Sequence, residues 1–78
     1  MSTWSYIHSI LASARQVPLT VMARDKRARD LMMSRLMNAA RHPDHEEFEY
    51  EFRSTLTIVG DAEVFPGVMV VGRERRVT

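Results

Sequence analysis

Apolar residues recur at two different spacings along this chain, and each change of spacing marks an element. Trp4, Ile7, Leu11 and Ala14 fall three or four residues apart, with Tyr6 and Ile10 widening the stripe. That spacing predicts an amphipathic helix, capped by Ser2 or Thr3 and fading near Gln16, because Pro18 disfavours helical geometry at Val17. Over residues 17–23 the period drops to two. Val17, Leu19, Val21 and Ala23 fall on one side, Thr20 and Met22 on the other, as in a short strand. Pro18 has no ladder donor, so this end of the strand is expected at a sheet edge or before the paired region. Asp25 then supplies a cap for a second helix, with a stripe of Ala28, Leu31, Met32, Leu36, Ala39 and Ala40 that ends before Pro43.

The most regular alternation lies in residues 48–58, "FEYEFRSTLTI". Phe48, Tyr50, Phe52, Leu56 and Ile58 share one side, interrupted by Ser54, and Glu49, Glu51, Arg53, Thr55 and Thr57 share the other. The pattern predicts a strand with one buried and one wet face. Its length exceeds the usual 5–6 residues, so a bulge near Arg53-Ser54 or a projecting end is expected. The segment "GDAEVFPG" reverses the chain, with Gly60 free to take a positive φ and Pro66-Gly67 at the centre of a type II turn. "VMVVG" returns as a strand apolar on both faces, and so expected to be covered on both. The order is helix, strand, helix, strand, strand: an α+β fold with two helices on a small, mainly antiparallel sheet. Residues 1–78 form one domain, made of an N-terminal helix (1–16), a strand–helix–hairpin unit (17–72) and a charged tail (73–78).

Size changes what this fold needs. A chain of 78 residues buries only about 60% of its unfolded surface, and without cysteines it has no disulfide staple and no thiolate metal site. Association with other chains is the remaining support. Hydrophobic content of 45% against 27% charged argues for a globular domain. No apolar run nears the ~18 residues of a membrane span. The N-terminal stretch lacks the basic start and continuous apolar run of a signal peptide, so cytoplasmic synthesis is expected. Net charge is only +1, but residues 24–41 carry six Lys/Arg and two Asp, and residues 44–51 carry five carboxylates.

Candidate chemistry is sparse. His42, Asp44, His45 and Glu46 share a loop, yet polar loop residues serve solvation more often than metals, and no metal or other cofactor is expected. His8 falls on the polar side of the first helix, where solvation is the simpler reading. No nucleophile elbow or phosphate loop occurs, so no catalytic residue is assigned. Lys26, Arg27, Arg29 and Arg35 could meet phosphates, but two aspartates dilute the run and aromatic interleaving is missing, so nucleic acid is the lesser alternative. Met32 reads as core; Met33 and Met37, on the shoulder of the stripe, could face a neighbour.

Residues 28–72 resemble a segment of the tail-hub proteins of bacteriophages and related contractile injection machines. The helix "ARDLMMSRLMNAA" leads into "STLTIVGDAEVFPGVMVVG", and "VPLTVMARD" looks like the strand that enters it. The resemblance implies a β-rich domain of a ring at a tail tip, although hubs are much longer chains. The resulting expectation is a non-enzymatic structural protein of a phage tail or tail-like assembly, located in the virion or assembled particle. It would bind other subunits, or copies of itself in a homo-oligomer, through strand edges and apolar contacts. Trp4, Tyr6, Met33, Met37, Arg73, Arg75 and Arg76 are its candidate interface residues, and no membrane partner is expected. A small virus-encoded inhibitor or regulatory binder of a host complex is the alternative from another class.

Overall fold

The chain follows the expected α-β-α-β-β order. The computed structural model describes residues 3–76; Ser2, one of the two candidate caps, and the tail's Val77 and Thr78 lie outside them. Helix α1 runs Thr3–Ala14, strand β1 Leu19–Met22, helix α2 Lys26–Ala39, strand β2 Phe48–Val59 and strand β3 Glu63–Glu74, with one 3-10 turn over Pro43–His45. Asp25 caps α2 by accepting the Ala28 N–H at 2.8 Å, and that bond holds its carboxyl below the usual range. Among the described residues no helix is long and apolar enough to cross a membrane.

The sheet is antiparallel in the order β1-β3-β2. Register fixes its two faces. Leu19 opposes Val70 and Val21 opposes Val68, while Tyr50 opposes Gly72 and Phe52 opposes Val70. These residues share one face, and both helices lie on it. Ile7, Ile10, Leu11 and Ala14 of α1, Leu36 and Ala39 of α2, and Val68 and Val70 of β3 form the buried core. Helix α1 packs over β3 and β1, and α2 over β3 and β2.

Several expectations change. Pro66 and Gly67 make no turn: they lie within β3, opposite Leu56 and Thr55. The chain reverses at residues 60–62, where Gly60 has φ 67°. A Cβ on Gly67 would stand 2.7 Å from the Val21 carbonyl oxygen and 2.9 Å from Thr55 Oγ1, so glycine is required there by close strand approach. No bulge interrupts β2, because its pairing with β3 runs in one register from Phe48–Glu74 to Val59–Glu63. Arg73 and Glu74 belong to β3 instead of a tail, and the Arg75 N–H still bonds Glu47 O at 3.0 Å. Only one face of β3 is covered: Val68 and Val70 are buried, but Met69 and Val71, on the far face, are half-buried.

The helix stripes are narrower than their sequence spacing implies. Trp4 and Tyr6 are 51% and 48% exposed, on the shoulders of α1, and Val17 is exposed ahead of β1. In α2 the buried face is rotated away from Leu31, which is 52% exposed. It takes in Arg29, whose side chain is only 14% exposed and whose Nε donates to Asp30 at 2.7 Å. The stem of Arg29 covers apolar surface while its head stays paired.

Candidate functional site

Helix length decides how much of the sheet is covered. Fourteen residues of α2 span about 21 Å, whereas twelve residues of β2 span about 40 Å. The outer half of the β2–β3 hairpin therefore runs past the helices as an arm. On the helix-bearing face of that arm Leu56 is 66% exposed, Ile58 70% and Val64 52%; Val59, on the other face, is 42% exposed. The expectation that Leu56 and Ile58 would be buried fails for this reason: the strand alternates as predicted, but nothing in the chain reaches far enough to cover them.

The arm also carries an open edge. β2 is outermost in the sheet and pairs only with β3. The Arg75–Glu47 bond makes residues 47 and 75 a hydrogen-bonded pair, and such pairs alternate along an antiparallel ladder. Odd-numbered residues of β2 thus turn their backbone groups toward β3. Phe48, Tyr50, Phe52, Ser54, Leu56 and Ile58 turn theirs outward. Edges are normally blunted by charge, proline or a bulge, but residues 54–59 carry no charge and no proline, and the ladder is unbroken. The whole molecule reflects this extension. It measures 47 × 26 × 18 Å with a radius of gyration of 13.2 Å, against about 11.5 Å for a compact chain of its length.

At the opposite end of β2 a polar cluster ties the loop after α2 to α1. His45 is 4% exposed. Its Nδ1 lies 2.8 Å from Arg15 Nη2 and its Nε2 2.7 Å from His8 Nδ1. A guanidinium only donates, so Nδ1 accepts and the Nε2–H of neutral His45 donates to His8. Burial first, then the Arg15 charge and His8, push the His45 pKa below its ordinary value of 6.5. Arg15 Nε donates to Tyr50 Oη at 2.9 Å, and the Tyr50 hydroxyl donates to Leu11 O at 3.2 Å. The Arg15 guanidinium lies 4.1 Å over the Phe48 ring, and Trp4 packs edge-on to His8. His8 is therefore a structural member of the cluster, contrary to its expected solvation. Sequence spacing held a signal for this group: Trp4, His8, Leu11 and Arg15 recur at helical intervals as a second stripe beside the core.

The cluster is closed on itself. His42 Nδ1 accepts the Asp44 N–H at 3.1 Å, and among the described residues no three His, Asp or Glu side chains are arranged to hold a metal ion.

The proposed interface residues do not form one surface. Tyr6 borders a shallow groove between the helices with Leu31 and Arg35, while Trp4 lies beside the histidines. Arg73 Nη2 donates to Glu51 Oε2 at 3.1 Å on the far face of the sheet. Arg75 lines an open hollow of about 400 Å³ with Glu46, Glu47 and Glu74, and Arg76 is exposed. Leu31 and Arg35 border α1, so helical spacing puts Lys26, Asp30, Met33 and Met37 on the flank of α2 turned away from α1, where Met33 also packs against the core. Lys26, Arg27, Arg29 and Arg35 do not gather: at about 100° per residue they spread around α2, and Arg29 is paired with Asp30. The chain matches no protein-family model, and no curated protein and no solved structure resembles it significantly.

Proposed function

We propose that this chain is a non-enzymatic structural protein that joins subunits of a larger assembly through its hairpin arm. The observation that carries this reading is the uncharged half-strand 54–59, with Leu56 and Ile58 about two-thirds exposed beside an unpaired backbone edge. Strand addition supplies hydrogen bonds along such an edge, and burial of the apolar side chains supplies the free energy. The surface area supports the same reading. The chain exposes 5823 Å², roughly 1,000 Å² more than the scaling for a compact 9.0 kDa protein gives. That excess is similar to the ~800 Å² each partner buries in a standard interface. The resemblance of residues 28–72 to tail-hub segments supports a phage tail or tail-like machine as that assembly, in which the protein would reside in the assembled particle.

Reconstitution tests this. The full chain is mixed with the products of the genes beside its own, and complexes are measured by sedimentation. The intact chain is expected to enter a complex, alone or with those proteins, and the double variant Leu56→Glu/Ile58→Glu to stay free with an unchanged circular dichroism spectrum. A chain that remains a monomer in every mixture overturns the reading.

A further inference from the structure

We infer that the arm's partner is a second copy of this chain, joined edge to edge through β2 about a two-fold axis at Ser54. The inference rests on the assembly reading and names the subunit that is joined.

The sequence of β2 reads differently on either side of Ser54. Before it the helix-side residues are aromatic, Tyr50 and Phe52; after it they are aliphatic, Leu56 and Ile58. Antiparallel pairing with a copy about Ser54 sets Phe52 opposite Leu56 and Tyr50 opposite Ile58, in both directions. Tyr50 opposite Ile58 is an aromatic–β-branched pair, which is favourable across strands, and Phe52 opposite Leu56 buries two apolar side chains against each other. The backbone agrees, since Tyr50, Phe52, Ser54, Leu56 and Ile58 all turn their N–H and C=O groups outward, and in this register they meet one another as hydrogen-bonded pairs.

The helices fit as well. The axis is perpendicular to the sheet, so both copies carry their helices on the same face at opposite ends. Each bare arm then lies beside the covered half of the other copy, where α2 packs on β2 and Met33 and Met37 lie on the flank of α2 turned away from α1. Methionine adapts readily to such a contact. The result is a six-stranded sheet in which the uncovered apolar face of each arm meets the helical layer of its partner.

Charge disfavours registers centred nearer the start of β2. A two-fold at Tyr50 would set Glu49 opposite Glu51, which is unfavourable. A two-fold at Phe52 would pair Arg53 with Glu51, but Glu51 already holds Arg53 and Arg73 at 3.0 and 3.1 Å within the chain. That register also sets Ile58 opposite Glu46. Burying two branched side chains outweighs rearranging an exposed ion pair. About Ser54, Glu51 meets Thr57 and Arg53 meets Thr55, so no like charges are directly opposed within β2; only Glu47 and Asp61, beyond the strand ends, face each other.

Cysteine cross-linking tests the register, since the chain has no cysteine of its own. Ser54 is exposed, and on the axis the two Cα atoms stand about 5.5 Å apart, within disulfide reach. Sedimentation of the intact chain is expected to give twice the 9.0 kDa chain mass. Mild oxidation of Ser54→Cys is expected to give a covalent dimer as the main product. Asp61→Cys, at tips about 45 Å apart in this arrangement, is expected to stay uncross-linked. Leu56→Glu and Ile58→Glu should each weaken dimerisation at least about tenfold, with circular dichroism confirming the fold. A dimer in which Asp61→Cys links and Ser54→Cys does not overturns the inference. A chain that is monomeric alone but joins other proteins through the arm also overturns it, and leaves the assembly reading standing. A monomer in every mixture overturns both.

Discussion

Residues 48–53 and 54–59 of β2 share a strand, a partner strand and a register, yet they meet different surroundings. In the first half Tyr50 and Phe52 pack against the core, and the strand is anchored at its start by the network of Arg15, His8 and His45. In the second half Leu56 and Ile58 extend the same face beside Pro66 and Val64 and stay about two-thirds exposed. The difference is one of supply. Two short helices cover about half of a strand twice as long, and the remainder of its apolar face stays uncovered within the chain. A regular alternation of apolar and polar side chains therefore marks which face of a strand is suited to burial, while helix length decides how much of that face one chain can bury.

Mutations separate the two halves. Leu36 is fully buried in the helical layer, and Leu36→Ala is expected to lower stability by about 2–5 kcal/mol in urea unfolding. Gly67→Ala strikes the boundary between the halves. The Val21 carbonyl that its Cβ would meet is backbone and cannot rotate away, so β1 must shift, at about 1–3 kcal/mol.

The covered half should also respond to pH. Because the His45 pKa is lowered in the fold, the unfolded chain takes up a proton first as pH falls. Stability is complete above about pH 6.5 and declines below it, by at most about 1.4 kcal/mol per pH unit, until His45 protonates in the fold. His8, His42, Arg15 and Asp44 all face this ring or its neighbours, and Arg15→Gln, which removes one opposing positive charge, should flatten the slope. The smallest effect belongs to the arm. Leu56→Ala should change monomer stability by no more than about 0.5 kcal/mol, measured at a concentration too low for association. A loss as large as that of Leu36→Ala would erase the contrast between the halves.

Much of the fold was legible because local signals agreed. The Asp25 cap, the Pro18 and Pro43 breaks and the two periods gave both helices and all three strands in order, though not the 3-10 turn at Pro43–His45. Pro66-Gly67 misled because the pair suits a turn, whereas here Gly67 lets three strands approach closely and the reversal falls to Gly60. Leu31 misled because the α2 stripe is wide, and the burial of the Arg29 stem rotates the packed face. The expected interface residues do not gather in the chain: Met33 packs against the core, and Trp4, Tyr6, Met37, Arg73, Arg75 and Arg76 lie on different parts of its surface. His45 could not be found from its loop alone, since its burial depends on Arg15 and His8, some thirty and more residues away in the chain.

Amide hydrogen exchange along β2 tests the central claim most directly, namely that the arm's edge is open in one chain and closed by association. The amides of Ser54, Leu56 and Ile58 should exchange rapidly in dilute protein and become protected as concentration rises, while those of Thr55 and Thr57, bonded to β3, are protected more evenly throughout. Protection of Ser54, Leu56 and Ile58 that is independent of concentration, or their free exchange at every concentration, would contradict it.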